Sequence, residues 1–215
     1  MKIKWIGHSC FIIETKSRTT LLIDPYNPFI GYNPIEYNAD IITLSHNHFD
    51  HNVKNNLNSS QVLINSATKY KFKDIEIEGF KSYHDKLNGL KRGKNLIFKF
   101  NIEGYTLCHL GGLGHTLSKE FINALGKIDI LFIPIGGNYT LNGKEASLLC
   151  KNIKSHIVIP MHFGTNNLKI KLDGIEKFLI HMQNNTKVSS NTIFIDNTIK
   201  KHTNLVYIFN TLQLE

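Results

Sequence analysis

Cysteine is scarce: Cys10, Cys108 and Cys150 are an odd number, with no C-x-x-C pair among them. That argues against a disulfide framework and leaves buried, reduced thiols as the expectation. Cys108 adjoins His109, but alternation along a strand turns neighbouring side chains to opposite faces, so it is not expected as a ligand. Long apolar runs are also missing. None approaches the roughly 18 residues of a membrane span. The opening MKIKWIGHSCFII starts like a signal peptide, but His8 and Ser9 break its apolar run, Glu14 closes it and no small-residue cleavage site follows. A cytoplasmic protein with no membrane partner is expected. Acidic residues are in deficit, 17 Asp and Glu against 25 Lys and Arg in 215 residues, for a net charge of +8. The lysines are spread along the chain, and the densest cluster, Lys91-Arg92-Gly93-Lys94, reads as a solvated turn. Diffuse positive charge favours a small anionic substrate through long-range attraction. It does not call for nucleic acid. No repeat, linker or low-complexity tract divides the chain, which suits one domain over residues 1–215. The sequence leaves homo-oligomerisation open.

What is present is strand-rich. Residues 2–6, 10–15, 20–24, 40–45, 61–65, 74–80, 95–101 and 104–109 are short runs of Ile, Val, Phe and Thr punctuated by Gly, Asn and Pro. IEIEGF and IFKFN alternate as in a sheet with one wet face, whereas IITL and LFIPI are continuously apolar, as in central strands covered on both sides. In the second half, helical spacing over 118–126, 143–154 and 173–183 alternates with strands at 129–133, 156–160, 192–196 and 205–209. The pattern predicts a layered α/β or α+β fold. Five strands run straight into polar or histidine-bearing loops: LLID-P, ITLS-HNHFDH, YTLC-HLGGLGH, LFIPI-GGNYT and IVIPM-HFGT. Ligand sites gather at such strand exits.

LSHNHFDH, residues 44–51, is the most informative of them. With 11 His and eight Asp in the chain, the order H-x-H-x-D-H arises by chance in roughly one such sequence in a thousand. His46 and His48 are two apart, so extended backbone directs both to one side. Asp50 and His51 follow where the chain leaves the strand and aim elsewhere. Imidazole and carboxylate are ordinary ligands of zinc and similar divalent metals, and a His/Asp set on loops fits an open, catalytic site. His109 and His162 each stand just past an apolar strand with glycine close by, in HLGGLGH and PMHFG, and would supply further ligands.

Taken together, GHSCFIIE, LLIDPY, LSHNHFDH, HLGGLGH, IPIGGNYTLNGKEA and IPMHFGT resemble the metallo-β-lactamase-fold superfamily of metal-dependent hydrolases. They come closest to its small bacterial branch of L-ascorbate-6-phosphate lactonase-like proteins. The resemblance implies a four-layer αββα sandwich with one or two divalent ions at one edge, zinc first, manganese or iron as alternatives. It implies that His46, His48 and His109 bind one ion, and that Asp50, His51 and His162 bind the second. Asp24 matches a buried aspartate that orients ligands, and His8 and His115 match positions near the site. A metal-activated water would attack a lactone, ester or phosphodiester, with Asp50 orienting it and His115 as acid or hydrogen-bond donor.

One position departs from the family. The resemblance calls for H-x-G-D, with the aspartate bridging both metals, and this chain has His109-Leu110-Gly111-Gly112. The second site loses its anionic bridge. The alternative function is therefore a non-enzymatic or catalytically impaired metal- or ligand-binding member of the same fold. Asn142 also stands where this branch often has aspartate.

Overall fold

The structure, a computed structural model, describes residues 1–35, 38–51 and 61–210. Ile3 and Trp5 are buried and Lys2 and Lys4 half-buried along the first strand, Lys2–Gly7 (β1), so period-two alternation sets its inner face. Cys10–Glu14 (β2), Thr20–Ile23 (β3), Ile41–Thr43 (β4) and Val62–Ile64 (β5) follow, and then Lys69–Phe72 (β6), Ile75–Tyr83 (β7), Lys94–Ile102 (β8) and Tyr105–His109 (β9). The second half alternates Lys119–Leu125 (α1), Ile130–Pro134 (β10), Gly143–Ile153 (α2), Ile157–Met161 (β11) and Glu176–Leu179 (α3), and closes with Asn185–Lys187 (β12), Thr192–Phe194 (β13) and Leu205–Ile208 (β14).

The strands form two sheets, ordered β13-β1-β2-β3-β4-β5 and β12-β14-β11-β10-β9-β8-β7-β6. One hydrophobic cluster, with Phe11, Phe98, Phe100 and Phe132 fully buried, joins residues of both sheets. Each such side chain contributes about 1.5–3 kcal/mol by leaving water. Two sheets sharing one core match the sandwich that the resemblance implies. β10 is buried along its whole length between β9 and β11, as its continuous apolar run requires. Asn142 caps α2: its side chain accepts from Glu145 N–H at 2.9 Å, and the Glu145 carboxylate accepts from Asn142 N–H at 3.1 Å. No described helix is long and apolar enough to cross a membrane.

Strand direction decides where chemistry gathers. β1 and β3 are both antiparallel to β2, and β4 is parallel to β3, so β1, β3 and β4 run the same way. β7 and β9 are both antiparallel to β8, and β10 and β11 are parallel to β9. The C-terminal ends of β7, β9, β10 and β11 therefore share one edge. Two backbone bonds tie the edges of the two sheets together. His162 N–H donates to the His8 carbonyl at 3.2 Å, and Leu96 N–H to the Ser45 carbonyl at 2.8 Å.

Besides two short 3-10 helices, Pro28–Ile30 and Asn197–Lys201, three elements differ from the expectation. β6 and β12 are absent from the expectation, and α3 covers only the middle of the expected 173–183 helix. Asp173 is drawn out of that helix by backbone bonds at 2.8 Å to the Gly136 carbonyl and from Gly164 N–H.

Candidate metal centre

Five strand ends deliver the site: β1 ends before His8, β3 before Asp24, β4 before residues 44–51, β7 before His84 and β11 before His162, while β9 ends at His109 beside it. The turn in HNHFDH is closed by His51 N–H donating to the His48 carbonyl at 2.9 Å. That turn separates the motif into two groups. His46 and His48 join His84, with ring centroids 4.7, 4.5 and 4.9 Å apart for the pairs 46–48, 46–84 and 48–84. Asp50 and His51 join His8 and His162. In each group one candidate ligand atom per residue lies within 4.8 Å of the others. The groups adjoin through His46 and His51, whose centroids are 4.2 Å apart.

Asp24 orients both groups. Fully buried, it accepts hydrogen bonds from Ser45 N–H at 2.7 Å, Ser45 Oγ at 2.5 Å and His51 Nδ1 at 2.9 Å. Ser45 Oγ, having given its proton to Asp24, accepts from His46 Nδ1 at 2.9 Å. Both rings are thereby held with Nε2 toward the centre, the carboxylate–histidine arrangement that fixes a metal ligand's tautomer. His84 is set in the same way by donating from Nδ1 to the Tyr139 carbonyl at 3.0 Å. His8, Asp24 and His162 have φ of 51°, 46° and 52°, a left-handed conformation that costs about 1–3 kcal/mol per non-glycine residue. Such strain persists where surrounding bonds over-determine it, as the Asp24 and His8–His162 bonds do here.

The residue set differs from the one the resemblance implies. His109 is fully buried but turned away: its Nε2 donates to the Ser9 carbonyl at 3.0 Å and its Nδ1 accepts from Gly111 N–H at 3.2 Å. Both ring nitrogens are committed, and His109 braces one sheet against the other. His84, missed in the sequence, stands third with His46 and His48. His115 also lies outside both groups, its Nε2 accepting from Tyr83 N–H at 3.2 Å and its Nδ1 donating to the Thr116 carbonyl at 2.9 Å. Gly112 explains part of the arrangement. A Cβ there would stand 2.8 Å from His46 Cε1 and 2.9 Å from His84 Nε2, so those rings close over the space an aspartate would need. Asn95 holds the glycine loop in place, accepting from Gly112 N–H at 2.8 Å and donating to the Leu110 carbonyl at 3.0 Å.

The donor set fits a divalent cation. His46 Nε2, His48 Nδ1, His51 Nε2 and His162 Nδ1 are buried nitrogens without a hydrogen-bond partner among the described residues. Burial, then the neighbouring imidazoles, hold His46 and His162 well below the ordinary histidine range, and burial above all lowers His84 to about 4. Burial and then the Arg92 charge lower His48. These rings are neutral at pH 7, the state that binds metal. His51 is the exception: burial opposes its charge, but Asp50 and Asp24 outweigh it and raise its pKa. Burial of Asp50 is likewise outweighed by His51 and His8, so its carboxylate stays ionised. Cys108, pushed up by burial to about 12, is an inert thiol.

With fold and geometry in place, comparison with known proteins gives the lineage. The sequence profile of the β-lactamase superfamily domain matches residues 2–162, and the chain belongs to that family. It is 30% identical over 219 residues to a UPF0173 metal-dependent hydrolase of Methanosarcina barkeri, covering 87% of this chain and 94% of the relative. It is 30% identical to a UPF0173 protein of Pyrococcus abyssi, covering 77% of this chain and 84% of that one. Among solved structures, a candidate Zn-dependent hydrolase of the metallo-β-lactamase superfamily from Thermotoga maritima superposes with a TM-score of 0.77 at 30% identity, over 97% of this chain and 99% of the other.

Two outcomes follow from the geometry. Asp24→Asn removes the charge that orients His51 directly and His46 through Ser45; zinc affinity measured by chelator competition is expected to fall about 10–100-fold. For metal-stripped protein, the lowered imidazoles of His8, His46, His48, His84, His109 and His162 bind fewer protons folded than unfolded below pH 6.5. Stability is therefore lost as pH falls from 6.5 toward 4, the sign opposite to that of His51, whose raised pKa stabilises at low pH and loses that effect as pH rises through its folded value. The urea midpoint is expected to be lower at pH 5 than at pH 7, and a higher midpoint at pH 5 would contradict the assignment.

Proposed function

We propose that this protein is a divalent-metal-dependent hydrolase acting on a lactone, ester or phosphodiester, with zinc the first expectation and manganese or iron the alternatives. The observation that carries this reading is the convergence of buried, unpartnered imidazole nitrogens from both sheets on one edge. Leaving such a group unsatisfied costs about 1–3 kcal/mol, a cost that a bound cation removes. The names of the Methanosarcina relative and of the Thermotoga protein support the same reaction class.

His46, His48 and His84 would hold one ion, three protein ligands leaving a position open. Asp50, His51 and His162, with His8 beside them, would hold a second. When bound, a divalent ion supplies Lewis acidity and a water activated at neutral pH. The chain's own groups then position and move protons. The ionised Asp50 carboxylate accepts a hydrogen bond from His8 Nε2 at 3.2 Å, which aims it and leaves its remaining lone pairs to orient the attacking water. His115 enters as a brace between residues 83 and 116, because both of its ring nitrogens are engaged by backbone.

A second reading, a binding protein with impaired chemistry, is favoured by one observation, the missing bridge at Gly112. Elemental analysis of protein purified without added metal, with turnover on a panel of lactones and phosphodiesters, separates the two. The hydrolase reading predicts at least one equivalent of metal and turnover that a chelator abolishes. Folded protein that takes up no Zn, Mn or Fe would overturn the hydrolase reading and metal binding alike, leaving only binding of another ligand; bound metal without turnover would leave only the binding role. Gly112→Asp supplies an anion between two dications but presses its Cβ on His46 and His84, so second-ion affinity is expected to rise, by roughly tenfold, together with a loss of first-ion affinity as those rings are displaced.

A further inference from the structure

A cavity of about 600 Å³ opens beside His46 and His48, and its wall carries Lys81, Arg92 and Lys94 but no carboxylate. Its size suits a small-molecule ligand. Lys81 ends up there from β7, and Lys94 opens β8, opposite Tyr83 in the sheet register. None of the three cations has an ion-pair partner among the described residues. What distinguishes the three is that they line one cavity beside His46 and His48 whose wall holds no carboxylate.

Arg92 is stacked on one aromatic ring. Its guanidinium carbon lies 3.9 Å above the Tyr139 ring centroid, and its Nε is buried with no hydrogen-bond partner. The nearby carboxylate does not neutralise it. Asp85 accepts four backbone N–H groups of its own loop, from Leu87 at 2.7 Å, Gly89 at 3.0 Å, Lys91 at 3.0 Å and Arg92 at 2.7 Å. These bonds fix the loop's backbone, and Arg92 lines both this cavity and a neighbouring one whose wall carries Tyr139, Asp85 and Glu145. Tyr139 couples the two functions, because its carbonyl sets His84 while its ring carries Arg92.

We propose that Arg92, assisted by Lys81 and Lys94, is the specificity-determining residue of this site and clamps an oxyanion of the substrate, a phosphate or a carboxylate, beside the His46–His48–His84 centre. The planar guanidinium offers paired donors matched to such a group, and a stacked, partly buried arginine loses little freedom in binding it. The anion is a handle on the substrate, away from the bond that breaks. This inference rests on the histidine cluster being the reaction centre.

The test titrates inorganic phosphate and, separately, acetate into the full-length protein as purified, by calorimetry at low and high salt, with metal content measured on the same samples. Wild type is compared with Arg92→Gln, Arg92→Lys and Lys94→Gln. Arg92→Gln is expected to weaken phosphate at least tenfold, Arg92→Lys to recover part of the loss and Lys94→Gln to lose a few-fold, with affinity falling as salt rises. A tenfold preference for phosphate assigns the clamp to a dianion, and equal Arg92-dependent binding of acetate assigns it to a single charge. With ester substrates, Arg92→Gln is expected to raise KM for an anionic ester relative to that for a neutral ester by the same factor. Phosphate and acetate affinities indifferent to Arg92→Gln in a variant with wild-type metal content would overturn the clamp while leaving the metal centre standing. Absent metal in both proteins would instead fail the centre, and the anion contrast between them would still be read.

Discussion

The site depends on one buried charge. A carboxylate taken out of water at Asp24 costs several kcal/mol unless it is paired and hydrogen-bonded. Here Ser45 N–H, Ser45 Oγ and His51 Nδ1 meet it. Those three bonds do more than offset desolvation. They fix the tautomer of His51 in one group and, through the Ser45 hydroxyl, that of His46 in the other. One carboxylate at the end of β3 thereby aims two imidazoles delivered by the end of β4. The left-handed backbone at Asp24 is part of the same constraint, since it turns the side chain from its strand toward the neighbouring one.

The second constraint is topological. The β1 and β3 ends of one sheet and the β7, β9 and β11 ends of the other reach one edge because two antiparallel steps restore strand direction from β1 to β3 and from β7 to β9, and the parallel pairing of β9, β10 and β11 keeps it. Bonds between His8 and His162, and between Ser45 and Leu96, hold the two edges in contact. Gly111 and Gly112 let the β9 loop pass beneath the rings. Gly111 has φ of 58°, and a Cβ on it would fall 2.5 Å from the Ser45 Cβ. Removing a side chain at position 112 costs the centre an anion but allows His46 and His84 to approach.

Much of this was legible in the sequence, and the misses share a cause. Apolar strands and amphipathic α2 announced themselves because their own residues are buried. β6 and β12 did not: both are edge strands of the eight-stranded sheet, with KYKF and NTK largely exposed, and they exist through pairing with β7 and β14. The HNHFDH motif and the exit from β11 pointed to five side chains, His46, His48, Asp50, His51 and His162, that the structure places in the two adjoining groups. His84 was silent because it follows KSY, a polar strand end rather than an apolar one. Counting strand directions would have found it, since β7 and β9 lie two antiparallel steps apart. His109 looked like the third imidazole because it ends an apolar strand beside glycine. Its commitments to Ser9 and Gly111 are long-range and loop contacts that no spacing reveals. Arg92, in what read as a solvated turn, gains meaning only once Tyr139 is brought beneath it.

The claim that everything else rests on is that His84, and not His109, completes the imidazole set with His46 and His48. Anomalous diffraction from zinc-loaded crystals, recorded on both sides of the zinc edge, addresses it directly. The account predicts a peak about 2.0–2.1 Å from one nitrogen of each of these three rings, with His109 still bonded to the Ser9 carbonyl. A peak bound by His109 with His84 turned away, or no peak among these rings, would contradict it.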